Sequence, residues 1–147
     1  MLLDTLQQDV ISSMKSGEKK KTETLRFLIA AVKKFQIDTY LPGSNGKLTD
    51  DDVLKIIQKQ VKTHEESIMA FDKGNRPDLV QKEKIELEIL KKYAPQELSD
   101  VEIKSLVSEV IAGGATQFGP VMGMVMKKVA GRASGNRVQE IVKMHLK

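Results

Sequence analysis

Two histidines, no cysteine and one short basic stretch flanked by glycines make up most of the reactive chemistry this chain has to offer. His64 heads His64-Glu65-Glu66-Ser67, and a helical zinc box would need a second histidine four residues on, where Ile68 stands. It is expected to be a satisfied interior or boundary residue. His145 falls at the chain's last helical turn, where interaction with the helix C-terminus accounts for it. Glu83, Glu86 and Glu88 alternate with Lys82, Lys84, Lys91 and Lys92 at spacings that offer i,i+3 and i,i+4 ion pairs, so they read as a solvated face. Ser12, Ser13 and Ser134 lack a neighbouring base or a strand-turn-helix elbow. The run Gly131-Arg132-Ala133-Ser134-Gly135-Asn136 lacks the phosphate-loop pattern and follows no strand. No catalytic residue, metal site or cofactor is therefore expected. What remains is a set of cations that either solvates a small helical surface or meets a polyanion. Lys127, Lys128, Arg132, Arg137 and Lys143 can meet phosphates, while the backbone amides of Ser134, Gly135 and Asn136 add neutral donors.

The elements that must position these groups are helices. Aromatic residues are few, four Phe and two Tyr with no Trp, so packing rests on Leu, Ile, Val and seven Met, which favours helices over sandwiches. Apolar stripes recur at helical spacing: Leu2, Leu6, Val10 and Met14; then Leu25, Leu28, Ile29, Val32 and Phe35; then Val53, Ile57, Val61, His64, Ile68 and Phe71. Thr49 ahead of Asp50-Asp51-Asp52 reads as a helix start, Leu41 to Gly46 as a loop, and Gly74-Asn75-Arg76-Pro77 as a turn into a fourth helix that stops at Tyr93-Ala94-Pro95. Ser99-Asp100-Val101-Glu102 is a capping box that opens a fifth helix carrying Val101, Leu106, Val107, Val110 and Ile111. Pro120 suits the first position of a sixth, buried through Met122, Val125, Met126 and Val129, with Met124 turned away. The seventh opens near Asn136 and turns Val138, Ile141, Val142 and Leu146 inward. The expected architecture is all-α: a four-helix domain over 1–95 and a small three-helix tail domain over 98–147, the tail being short enough to lean on a neighbour.

Charge is distributed unevenly between these parts. Residues 1–97 hold 17 basic and 16 acidic side chains, but 117–147 hold six basic and one acidic, Glu140. The positive field should therefore sit on the last two helices, where a polyanion would dock. No stretch approaches the ~18 apolar residues of a membrane span, and Met1-Leu2-Leu3 runs at once into Asp4, so no membrane association and a cytoplasmic setting are expected.

The segments Leu25 to Asp38, Lys62 to Ser99 and Gly119 to Leu146 follow one another in an order that resembles the GatB/YqeY family. The likeness is carried most specifically by ESIMAF, GNRPDL, YAPQELS and MGMVMKKVAGRASGNRV. That family comprises the helical tail of the GatB component of the tRNA-dependent amidotransferase and small stand-alone proteins bearing that tail. The resemblance implies tRNA or another structured RNA as partner, met by shape and backbone, with Lys127, Lys128, Arg132, Ser134, Gly135, Asn136, Arg137 and Lys143 as the contacting residues; DNA is not expected. It also implies a family label, carbon–nitrogen ligation with glutamine as amido-N donor. The catalytic body of GatB is missing from this chain, so no autonomous amidotransferase activity is expected. Pro120 departs from the basic or polar residue that the pattern leads one to expect there. Gly119 and Gly123 leave one helix face bare over two turns, which permits close approach by a helix or a nucleic-acid backbone. Reversing Arg132 and Arg137 to Glu is expected to weaken RNA binding while preserving helicity. Two other classes stand beside this one: a non-enzymatic protein-protein interaction module that docks through the methionine-bearing tail, and an enzyme with a pocket joining His64 to Glu65 or Glu66 and a residue of the tail.

Overall fold

Residues 1–146 are described by the computed structural model, and among them the chain forms seven α-helices and no strand. They are α1 (Leu2–Lys15), α2 (Lys19–Thr39), α3 (Asp50–Lys73), α4 (Pro77–Lys91), α5 (Asp100–Ala112), α6 (Phe118–Val129) and α7 (Gly135–His145). The all-α class expected from the periodicity is the class observed. The chain divides into two units, Met1–Ala94 and Pro95 onward.

In the first unit the helix ends are written locally. α1 stops at Gly17, whose φ of +76° is open to glycine at little cost, and Glu18 N–H reaches back to the Ser13 carbonyl at 2.9 Å to close the turn. α3 starts on a capping box: the Thr49 hydroxyl accepts from Asp52 N–H, and the Asp52 carboxylate accepts from Thr49 N–H at 2.9 Å. It ends with Asn75 in the left-handed region and Arg76 N–H on the Phe71 carbonyl at 2.9 Å, after which Pro77 takes the first position of α4. This tight reversal lays α4 back along α3.

The first core gathers Leu6, Val10, Leu25, Leu28, Val32, Leu48, Val53, Ile57 and Leu90. Two polar contacts fix its edges. Ser13 and Thr22 hydroxyls share a buried hydrogen bond at 2.7 Å, and the Tyr93 hydroxyl donates to Asp9 at 2.6 Å, tying the end of α4 to α1. Burial, and then the bond to Asp9, push the Tyr93 phenol well above its ordinary range. Met14 leaves the expected stripe: it is exposed, and Ser13 takes the buried place because the Thr22 hydroxyl satisfies it.

The second unit packs α5, α6 and α7 around Leu98, Ile103, Val107, Val110, Val121, Val125, Val129, Val138, Ile141 and Val142. Three expected core positions, Val101, Met122 and Met126, are corrected here. Val101 is 72% exposed while Ile103 is fully buried, because the Ser99 cap sets a register in which 103, 107 and 110 share a face. On α6 the same i,i+4 logic buries Val121, Val125 and Val129, leaving Met122 and Met126 at the margin and Met124 exposed. Pro120 is the third residue of α6 rather than its first, a position whose N–H would also lack an intrahelical acceptor. α7 opens one residue earlier than expected, on a Ser134 cap whose hydroxyl accepts from Arg137 N–H at 3.3 Å. The segment Pro95 to Glu97 goes with this second unit, because Leu98 N–H donates to the Arg132 carbonyl at 2.8 Å and Arg132 holds Gln96.

Candidate nucleic-acid interface

The five cations of the second unit singled out from the sequence, Lys127, Lys128, Arg132, Arg137 and Lys143, fall into three groups according to what already engages them. Arg132 and Arg137 are structural clamps. The Arg132 Nε–H donates to the Gln96 carbonyl at 2.8 Å; an Arg137 guanidinium N–H donates to the Leu98 carbonyl at 3.1 Å and to Asp100 at 2.7 Å. The joint between α6 and α7 is thereby laced to the stretch of chain that leads into α5. Arg137 holds the Asp100 carboxyl below its ordinary range, first through the hydrogen bond and then through its charge, and its own guanidinium is held further up by the same contact.

Lys128 and Lys143 are loosely engaged. Lys128 lies 3.1 Å from Glu109, a surface pair of the kind that contributes little to stability. The Lys143 ammonium stands 6.0 Å from the centroid of the Phe118 ring, at the reach of a cation–π contact. Since Phe118 begins α6 and Lys127 and Lys128 occupy its last turn, Lys143 lies at the opposite end of that helix, about 15 Å along it. The structure therefore does not gather all eight sequence-derived residues at one place.

Lys127 stands apart. It is exposed and makes no hydrogen bond or ion pair among the described residues. Gly119 and Gly123 precede it at steps of four on the same face of α6, and a Cβ built on either would meet nothing within 4 Å. Bare backbone thus lies open to solvent beside a cation. Past the joint, Gly135 and Asn136 are exposed and form the first turn of α7, whose N–H groups lack intrahelical acceptors, and Gly135 likewise has open space around it.

A second chemically coherent cluster lies in the first unit, and the sequence reading missed it. His64 Nδ1 on α3 is in hydrogen-bond contact with Glu83 Oε2 on α4 and lies 3.7 Å from Glu86 Oε2. Glu83 and Glu86 therefore face the histidine instead of pairing along α4 with the neighbouring lysines. Glu65, one of the two partners expected for His64 in an enzymatic pocket, pairs with Lys91 at 3.7 Å instead. His64 and Glu83 also line a groove of about 620 Å³ between α2 and α3, walled by Phe27, Phe35, Ile56 and Lys59. The signal was present as hairpin register: His64 lies ten residues before Gly74, and Glu83 and Glu86 lie nine and twelve after it.

An all-α chain of two units, the second a three-helix module with a basic joint and a bare glycine face, is the class that this fold and surface define. Known proteins carry the definition further. The chain belongs to the Yqey-like protein family, whose profile matches residues 3–146. Similar curated proteins carry the name Altered inheritance of mitochondria protein 41, mitochondrial. That of Pyrenophora tritici-repentis is 32% identical over 97% of this chain and 81% of its own length. That of Clavispora lusitaniae is 30% identical over 87% and 74%, and that of Lachancea thermotolerans 32% over 72% and 56%. These names overturn the cytoplasmic expectation. Composition and hydropathy report how a chain meets water, and the same charged helical surface serves in more than one aqueous compartment. Among the described residues no helix is long and apolar enough to cross a membrane.

Proposed function

We propose that this protein binds structured RNA, of the tRNA kind, through its second unit. The observation that carries the reading is the α6 face on which Gly119 and Gly123 expose backbone beside the unengaged Lys127. A sugar-phosphate backbone can approach such a face more closely than one covered by side chains, and a cation at its end meets the phosphate. Lys128 is held only by an exposed pair, and the first-turn amides of Gly135 and Asn136 supply further donors. The charge excess of 117–147 supports the same assignment, as does kinship with the amidotransferase tail. In this reading the contribution to amidotransferase chemistry is that of an RNA-holding companion. Arg132 and Arg137 act by shaping the joint rather than by surrendering their guanidinium groups to phosphate.

The test is tRNA binding by the full chain with Lys127 and Lys128 both reversed to Glu, against a control in which Lys19 and Lys20 are reversed. The first variant should lose most of its affinity and the control little. Equal binding by both variants, or parental affinity no greater than that of an unrelated basic protein, would sink the RNA reading. Met124, 51% exposed next to the glycine face, favours a protein-docking surface as the second reading. That surface would survive the charge reversal and fail on Met124→Glu.

A further inference from the structure

The α3–α4 hairpin outruns the core that holds its base. α3 is 24 residues long, about 36 Å, whereas α1 has 14 residues. Ile57 is the last buried residue on α3 and Leu87 the first on α4, and none from 58 to 86 is buried. The outer half of the hairpin is therefore held by partly buried apolar side chains, Val61, Ile68, Phe71, Leu79, Val80 and Ile85, and by no fully buried one. It is in this half that His64, Glu83 and Glu86 converge.

Their ligating atoms all lie within 4.8 Å of one another. The side chains are 16%, 19% and 22% exposed, shielded enough to be held in place and open enough to be reached. Glu83 and Glu86 project from one face of α4 because they are three residues apart, and both aim at one imidazole. Neither has a lysine or arginine partner among the described residues. Two carboxylates thus share at most one positive charge, a deficit that a divalent cation removes. A four-coordinate cation with bonds of about 2.0–2.1 Å sets its donors ~3.3 Å apart. The 3.7 Å between His64 Nδ1 and Glu86 is already close to that, and the His64–Glu83 contact is one that a cation would open by replacing the bridging proton. One imidazole with two carboxylates suits zinc and its neighbours better than magnesium or calcium, which prefer oxygen alone. His64 and Glu83 also form part of the groove wall, so water or a small anionic ligand can reach the cluster from the groove.

We propose that His64, Glu83 and Glu86 form a binding site for a divalent transition cation of the zinc class, which staples the outer half of the α3–α4 hairpin and keeps open coordination toward the groove. The experiment is titration of the tag-free full chain with Zn²⁺ by calorimetry, with amide hydrogen exchange over 58–86 followed with and without the metal. One equivalent should bind per chain and slow exchange in that stretch, and excess Mg²⁺ should not compete. Glu83→Gln and Glu86→Gln preserve side-chain volume and should each lower affinity at least about tenfold, as should His64→Gln. His145→Ala, the control for adventitious binding by the other histidine, should bind like the parent. If His64→Gln fails to fold, the two glutamine variants decide the matter. No saturable binding, binding that none of the three variants weakens, binding that His145→Ala weakens equally, or bound metal without slower exchange overturns the assignment.

Discussion

Arg132 and Arg137 show how a residue's partners decide what its substitution can report. Their types and place in a glycine-flanked joint suggested phosphate contact, but both donate to main-chain carbonyls, at Gln96 and Leu98. Main-chain acceptors about forty residues away leave no trace in local sequence, which is why this role was illegible. The capping boxes at Thr49 and Ser99 were legible, because hydroxyl and carboxylate sit three residues apart in the chain itself. Reversing both arginines should therefore loosen the second unit, which amide exchange over 96–103 would reveal, so that lost RNA binding in that variant would not identify phosphate contacts. The same contacts set an acid limit. Arg137 depresses the Asp100 carboxyl chiefly by hydrogen bonding, and the Ser99 backbone N–H does so for Glu102. A carboxyl lowered in the folded state adds stability above its unfolded value and loses it as pH falls through the folded one. The start of α5 should accordingly hold at neutral pH and fray as pH drops below the ordinary values of 3.8 and 4.5. Exchange protection at residues 99–103 that stays constant from neutral pH down to about pH 3 would contradict this.

Helices as elements were legible from periodicity, caps and turn residues, but the face each one buries was legible only where the stripe was unambiguous. On α5, Val101 and Ile103 are both apolar and two residues apart, and only the register set by the Ser99 cap chooses between them. Ile103→Ala should cost about 2–5 kcal/mol by emptying the core, whereas Val101→Ala should fall within about 0.5 kcal/mol of the parent. Urea unfolding of both variants measures the difference, and comparable losses would mean the register is wrong. On α6 the glycines permit a sharper separation of stability from function. Gly119→Ala and Gly123→Ala place methyl groups in open space and remove glycine's backbone entropy, so stability should hold or rise by up to about 1 kcal/mol. If a nucleic-acid backbone lies on that face, affinity should fall in the same variants. Lower stability would show the glycines to be packing positions, and unchanged affinity would remove the face from the RNA interface.

Across the whole molecule, charge separates the two ends of the chain more clearly than hydropathy does. Residues 1–97 are nearly neutral, while 98–147 carry seven basic side chains against four acidic ones. This asymmetry was visible at once, yet it could not say which cations are available, and the ion pair at Lys128, the ring under Lys143 and the clamps at Arg132 and Arg137 reduce the number that can meet phosphate without rearrangement. Affinity for a polyanion depends on salt through the counterions that each contacting cation displaces, so the logarithmic salt slope counts those cations. A contact face on α6 that offers Lys127 and, once its exposed pair with Glu109 opens, Lys128 should give a shallow parental slope. Reversing both should flatten it further, by about one unit or somewhat less per contact removed. Reversing Lys19 and Lys20 should leave the slope where it was, although it changes net charge by the same amount. That equality of charge is what gives the comparison its force, since diffuse attraction responds to total charge and a docked backbone responds to position. Filter-binding or fluorescence titrations of tRNA over a range of salt concentrations read the slope directly. Parallel slopes in both double variants would mean that RNA senses only the net charge of the chain and docks on no particular face of the second unit.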